Sequence, residues 1–377
     1  MKTNFFLLLF FIFLTGYVFA QKTDKNHLKI NGRIQYDYEF LKRENQSVWF
    51  NGNEFRRVHL SVSGHLSVRL KYKIETDFSH GELGFRDVYI KYNAGNLGAF
   101  ALGSMAEPTG LDMLTSSKYI PFLERAMLGN LQNFRWGSGL HYENFGIFNG
   151  KLTLQMALTN NGSANQGFKD ENLEEGMNFT ARITSALFQN ETGLWHLGIN
   201  YASRPASSLK FRPENHMGDK YVYVFPEASG RDEIGFEMAG VLKNFSLQSE
   251  YKLQVIDNSI NKDYKVKAFY VMASYFLTGE QRPYKKAAFA RLIPKKDIDN
   301  EGIGAVELLC RFSNINVSDD IVLANFTQPA NINNISFGVN WYLTKHARLM
   351  YNYVLTDDEN VLLGNLSGHL IRFQIDF

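Results

Sequence analysis

Large apolar and polar residues alternate along most of this chain with a period of two. Across residues 28–40, Leu28, Ile30, Ile34, Tyr36, Tyr38 and Phe40 fall on one face and Lys29, Asn31, Arg33, Gln35, Asp37 and Glu39 on the other. A helix would scatter these residues around its circumference, whereas a strand sorts them into an oily and a wet side. The chain ends the same way, with Ile371, Phe373, Ile375 and Phe377 alternating with Arg372, Gln374 and Asp376.

Residues 55–78 carry the longest such run. Val58, Leu60, Val62, Leu66, Val68, Leu70, Tyr72 and Ile74 occupy even positions, while Arg57, His59, Ser61, Ser63, His65, Ser67, Arg69, Lys71, Lys73, Glu75 and Asp77 occupy odd ones. A membrane strand needs only about 9 to 11 residues, so this stretch must turn back on itself. The apolar parity survives the reversal, which requires an odd number of loop residues, and Ser63-Gly64-His65 is predicted, with Gly64 supplying the left-handed position. The same arithmetic predicts a two-residue turn at Lys243-Asn244 and a three-residue turn at Thr344-Lys345-His346.

Further strands are expected at residues 85–93, 97–105, 132–142, 151–160, 176–186, 194–203, 231–242, 245–257, 264–277, 302–313, 335–344, 347–356 and 367–377. With the first strand and the long hairpin, the total is about sixteen. That even number suits a closed barrel wide enough to hold water. Residues 221–225 read as part of a loop excursion. The predicted fold class is all-β: a transmembrane antiparallel barrel of about 16 strands, to which the family resemblance described below adds inward-folded constriction loops.

The amino terminus changes where this barrel must sit. Lys2, an apolar run over residues 5–14 and small residues at Gly16 and Ala20 form a secretory signal peptide, with residues 1–20 removed and 21–377 forming one domain. No later window approaches the roughly 18 consecutive apolar residues of a membrane-spanning helix. The single Cys310 excludes an intramolecular disulfide framework. Losing Lys2 takes the formal charge from +2 to +1, which argues against a nucleic-acid-binding protein. The 31 Phe and 19 Tyr suit an aromatic belt at the lipid headgroups. An exported chain of this kind is expected in the outer membrane of a Gram-negative cell, in contact with its lipid.

If the amino end lies in the periplasm, the long connections at residues 106–131, 161–175, 204–230, 314–334 and 357–366 fall outside the cell. The basic segment 278–301 then falls on the periplasmic side, where short turns are the rule.

Several stretches resemble the phosphate-selective porin O and P family. They are Phe55-Arg56-Arg57, Arg86-Asp87-Val88-Tyr89-Ile90, Leu102-Gly103-Ser104-Met105-Ala106-Glu107-Pro108, Leu114-Thr115-Ser116-Ser117-Lys118-Tyr119, Phe122-Leu123-Glu124-Arg125-Ala126, Tyr275-Phe276-Leu277-Thr278-Gly279-Glu280 and Asn340-Trp341-Tyr342-Leu343. The resemblance implies a sixteen-stranded trimeric outer-membrane porin whose lumen is narrowed by inward-folded loops and lined by basic side chains. It makes residues 106–131, with Lys118, Glu124 and Arg125, the constriction loop. It also folds the periplasmic insert into the lumen, carrying Arg282, Lys285, Lys286, Arg291, Lys295 and Lys296. The sequence departs from a purely basic lining, because Glu75, Asp77, Glu237, Glu250 and Glu307 share the inner face.

Side chains two apart on a strand face stand about 6.6 Å apart, so Arg69, Lys71 and Lys73 are predicted to form a row of positive charge. Arg33, Arg57, Arg135, Arg182 and Arg311 have the parity to extend it, while Arg56 has outward parity and belongs at the rim. Divided cationic sites attract an anion and still release it, and arginine can present two donors to one oxyanion. The expected activity is passive diffusion of small anions or other hydrophilic solutes, without turnover, cofactor or metal. The alternative is a plugged barrel whose external loops bind a ligand or partner. His59 and His65 near serines read as polar lining, not a catalytic pair.

Overall fold

A computed structural model describes residues 28–79, 81, 83–131, 136–160, 176–260, 262–317, 330–358 and 364–377. Sixteen antiparallel strands close into a barrel. The first half comprises β1 (Lys29–Arg43), β2 (Phe50–His65), β3 (Leu70–Asp77), β4 (Gly84–Asn93), β5 (Ala99–Ala106), β6 (Trp136–Ile147), β7 (Leu152–Asn160), β8 (Met177–Gln189) and β9 (Gly193–Pro205). A hairpin of β10 (Leu209–Phe211) and β11 (Tyr221–Tyr223) lies off the wall, in the excursion expected there. The wall resumes with β12 (Ala228–Leu242), β13 (Phe245–Asn258) and β14 (Tyr264–Phe276). A second inner hairpin, β15 (Tyr284–Lys285) and β16 (Ala288–Phe289), precedes β17 (Ala305–Val317), β18 (Ala330–Tyr342), β19 (Ala347–Asp358) and β20 (Leu366–Asp376).

Alternation explains the closure. Leu60 and Ile371 point outward, with Val58 and Val62 of β2 and Phe373 and Ile375 of β20, while Gln35, Asp37, Glu39 and Arg372 are buried inside. In water the outer surface would be an aggregation hazard, whereas in lipid it is the stable face and the closed ring leaves no edge unpaired. The wall closes where β1 pairs with β20, Tyr38 opposite Ile371 and Asp37 opposite Arg372. Strands of 13 residues rise about 43 Å, more than the roughly 25 Å apolar band, so their ends stand in water. On β14, β17 and β18 those outer ends carry Lys265, Lys267, Asn314, Asn316, Asn331 and Asn333 on the outward face.

The turns obey the parity arithmetic, with one displacement. Leu242 pairs with Phe245 around Lys243, whose φ is +52°, and Leu343 N–H reaches Ala347 O at 3.0 Å around Thr344-Lys345-His346. The β2–β3 loop also holds three residues, but they are Ser67-Val68-Arg69, because Val62 pairs with Ile74 and Leu66 N–H donates to Leu70 O at 2.8 Å. Serine does here what glycine was expected to do: Ser67 Oγ accepts the Leu70 N–H at 3.1 Å. Thr344 Oγ1 likewise accepts the N–H groups of His346 and Ala347. Such hydroxyl-to-backbone bonds form a turn without a left-handed residue, and Gly64 stays within the strand.

Three inserts fill much of the lumen. From the outer side come the β5–β6 connection, hereafter the pore loop, and the β9–β12 connection. The third, residues 277–304, rises from the periplasmic side. Where the first two meet, Phe122, Met127, Leu128 and Leu131 pack with Phe211, Tyr221 and Tyr223 against Val266, Ala268, Ile315 and Ile332 of the wall. The inner face is therefore apolar at this height, since the inserts shield it from water.

Candidate functional site

The pore loop crosses from β5 to the opposite wall and is held there through its backbone. A short helix, α1 (Leu111–Leu114), points its first N–H groups at Glu250, whose carboxylate accepts from Leu111 at 2.9 Å and Asp112 at 2.7 Å. Tyr270 donates a third bond to Glu250 at 2.5 Å. Gly110 precedes the helix at φ +145°, and a Cβ there would lie 2.5 Å from Glu250 Oε2. Further along, Gln35 donates to Ser117 O, Arg348 to Ile120 O, Asn340 to Pro121 O and Arg372 to Leu123 O. Wall side chains thus supply donors to carbonyls that an isolated loop would leave unpaired.

Between this loop and β1–β4 lies a cavity of about 670 Å³. Arg33, Arg56, Arg57, Lys73, Arg86, Lys118 and Arg125 line it against two carboxylates, Glu75 and Asp87, with His59, Ser116, Ser117, Tyr119 and Trp136 among the remaining walls. Arg33 lies 2.8 Å from Glu75 and donates to Ser117 Oγ. Lys73 sits 2.5 Å from Glu75 and 2.7 Å from Asp87. His59 lies 2.8 Å from Glu75 and 3.0 Å from Asp77, and Arg86 reaches Asp77 at 2.8 Å. Trp136 donates to Asp87 at 2.7 Å, and the Arg86 guanidinium lies 4.9 Å from its ring centroid. The two lining carboxylates are spent fixing cations in place, and the lining keeps a positive excess.

Arg56 was expected at the rim and lies inside instead. Gln35 pairs with Arg57 and Tyr36 with Phe55, leaving Arg56 as the extra residue of a β-bulge. Both arginines therefore face the lumen. Arg56 grips Glu124 of the pore loop through Nε at 2.8 Å and Nη2 at 3.0 Å, and Arg372 reaches the same carboxylate at 3.1 Å. Burial pushes the Glu124 carboxyl up, but Arg56, Arg57 and Arg372 outweigh it and hold the group well below the usual carboxylate range. Lys118 is lowered from the ordinary lysine value, first by burial and then by Arg33, with Asp376 opposing.

The other expected residues divide by position. Arg33, Arg57 and Lys73 reach the cavity from the wall, and Lys118 and Arg125 from the pore loop. Arg69 is exposed in the β2–β3 turn, and Lys71 is exposed at the periplasmic end of β3, so the predicted vertical row does not form. The cause is the displaced turn, which takes Arg69 out of the strand. Arg182 and Arg311 have inward parity but lie sealed beneath inserts. Arg182 grips Glu237 and Ala287 O; Arg311 grips Glu214 and Glu124 O. Arg135 lies outside the described residues.

The periplasmic insert does enter the lumen. Arg282 donates to Gln248 at 2.9 Å, and burial lowers its ionisation from the usual arginine range. Arg291 donates to Asp376, and its guanidinium sits 5.5 Å from the Tyr119 ring centroid. Lys285, Lys286, Lys295 and Lys296 remain exposed. Phe289 packs on Leu111, so the insert from below touches the pore loop from above. Cys310 is a free, exposed thiol on the outer face. Among the described residues no group of three or more His, Cys, Asp or Glu is placed to hold a metal ion.

A sequence profile of the family described as phosphate-selective porin O and P matches residues 28–377. Porin O of Pseudomonas aeruginosa is 29% identical over 392 residues, covering 91% of this chain and 86% of that protein. Among solved structures, a loop L8 deletion mutant of the outer-membrane protein OmpT of Vibrio cholerae superposes with a TM-score of 0.60 at 14% identity, covering 94% of this chain and 100% of that one. An anion-selective porin from Comamonas acidovorans superposes at 0.57 with 15% identity, covering 94% and 100% respectively. With a sixteen-stranded closed barrel, inserts folded into its lumen and a family match along its whole described length, the chain belongs to the phosphate-selective porin O and P family and is a channel-forming porin of the outer membrane.

Proposed function

We propose that this porin favours small anions, phosphate among them, and that the cavity between β1–β4 and the pore loop sets the preference. The observation that carries the reading is the lining itself, seven lysines and arginines against two carboxylates. Ser116, Ser117 and Tyr119 add hydroxyl groups beside the cations. Planar guanidinium forks match a tetrahedral oxyanion, while Lys118 acts as a point charge that an ion can leave quickly.

Passage requires no turnover, cofactor or metal. The described residues near the cavity are engaged in ion pairs and loop anchoring, which supports a passive path. Residues 1–20 are a cleaved export signal in this reading, and 21–377 form the single barrel domain. Three copies assemble, in line with the trimer form of OmpT of Vibrio cholerae, which shares this fold at a TM-score of 0.58.

The test is competition. Phosphate added to a chloride-conducting bilayer should reduce the current in a saturable way, and Arg33→Gln with Lys118→Ala should weaken that block at least about tenfold, the loss of one strong charge-assisted contact. Phosphate without effect on chloride current contradicts the proposal.

A further inference from the structure

We infer that His59 determines specificity at the constriction, standing as an imidazolium between Glu75 and Asp77 and supplying the charge that gives the β1–β4 wall its positive excess. The inference rests on the reading that this cavity sets the anion preference. His59 is 7% exposed on the inner face of β2, with Arg33 of β1 opposite it on one side and Asp77 of β3 on the other. Its Nδ1 is hydrogen-bonded to Glu75 Oε1 at 2.8 Å, and its Nε2 makes an ion-pair contact with Asp77 Oδ2 at 3.0 Å, out of line for a hydrogen bond. An ionised carboxylate only accepts, so the nitrogen at Glu75 carries a proton. A neutral ring would then turn the bare lone pair of Nε2 toward an anionic oxygen, whereas an imidazolium places an N–H and positive charge on both sides.

The surrounding groups use both carboxylates as acceptors. Glu75 meets Arg33 at 2.8 Å and Lys73 at 2.5 Å. Asp77 meets Arg86 at 2.8 Å and accepts from the N–H of Ser79 at 3.1 Å and its hydroxyl at 2.7 Å. These contacts are those of ionised carboxylates. Arg57 beside His59 on β2, and Lys118 and Arg125 across the cavity on the pore loop, oppose a further positive charge, while Asp87 of β4 is 2.7 Å from Lys73. Both Glu75 and Asp77 touch the ring, and Coulomb attraction is strongest at contact, so they decide its charge. With His59 charged, Arg33, His59, Lys73 and Arg86 stand against Glu75, Asp77 and Asp87. With it neutral, three cations meet three carboxylates and this wall offers a passing anion no net attraction. Histidine changes charge within about pH 5 to 8 in ordinary surroundings, so anion preference gains a proton-dependent step that the arginines cannot supply.

Reversal potentials of the folded protein in a planar bilayer under a potassium chloride gradient, taken over about pH 5 to 9, test this. The wild-type chloride-to-potassium permeability ratio should fall at least about twofold as pH rises, the effect of removing one unit charge about 7 Å from an ion in water. His59→Gln should hold the ratio at the low value throughout, His59→Arg should hold it at the high value, and Lys118→Met should keep the step. If His59→Gln yields no folded barrel, the wild-type profile and His59→Arg decide. A wild-type ratio that does not change with pH, or a step that survives in His59→Arg, would overturn the role of His59. An anion preference that His59→Gln leaves at the wild-type value but Arg33→Gln/Lys118→Ala abolishes would overturn it while leaving the constriction reading intact. No anion preference at any pH would overturn both.

Discussion

Arg372 on the last strand reaches Asp37 on the first through Nε and Nη2, both at 2.6 Å, and so pins the seam at which the barrel closes. The same guanidinium donates to Leu123 O at 2.5 Å and lies 3.1 Å from Glu124. One side chain therefore couples ring closure to the position of the pore loop. Arg372→Ala would leave Asp37 buried without its partner, at a cost of about 3–5 kcal/mol. We expect a lower melting temperature in detergent and a larger, noisier single-channel conductance; Arg372→Lys should recover charge but not the fork, giving an intermediate result.

The carboxyl-terminal ring is seated by a glycine. Gly32 N–H donates to Phe377 O at 3.0 Å and Phe377 N–H returns to Gly32 O at 3.1 Å, while a Cβ on Gly32 would lie 2.4 Å from the Phe377 ring. Gly32→Val should displace that ring and reduce the yield of folded barrel, read as the heat-modifiable band on gels. An unchanged yield would show that the terminal ring is dispensable for closure.

The anchor of α1 is equally specific. Gly110→Ala adds a Cβ against Glu250 Oε2 at a backbone angle that side chains rarely adopt. The loop tip should retreat from β13, and we expect altered conductance with little loss of barrel stability. Glu250→Ala should alter conductance in the same way by removing the acceptor for two helix N–H groups.

The titrations of the pore loop have opposite signs. Lys118 is depressed by burial and by Arg33, so its charged form costs stability at neutral pH, a cost relieved as pH rises through the lowered value. Anion preference should accordingly begin to fall at a pH below the ordinary lysine range, and Lys118→Met should erase that step. Glu124 is held well below its usual value by arginines that outweigh its burial. Its stabilising contribution is complete above the unfolded carboxylate value and is lost only as pH falls through the depressed one. Reversal potentials and melting temperatures measured against pH check the two effects separately.

Much of the barrel was legible because period-two alternation reports directly which side of a strand faces lipid. The sixteen strands, the two-residue turn at Lys243 and the three-residue turn at Thr344 follow from that rule. Its blind spots are physical. The Ser67 hydroxyl closes a turn that the more obvious Gly64 seemed to mark, and this moved Arg69 out of the lumen. A single extra residue at Arg56 turned an outward-reading side chain inward. Parity also fixes side but neither height nor cover, so it could not separate Arg33, which reaches the cavity, from Arg182 and Arg311, which lie beneath inserts. The basic insert stands out in the sequence as a long connection on the side of short turns, but strand periodicity carries no information on its contacts with Gln248 and Leu111.

The most direct test of the account is the reversal potential of the single channel in a bilayer under a potassium chloride gradient, with and without Arg33→Glu, Lys73→Glu and Lys118→Glu. A cationic constriction gives a steady open current shifted toward anions in the wild type and reversed or abolished preference in the triple variant. A closed barrel, or a wild-type preference that the three reversals leave unchanged, would contradict it.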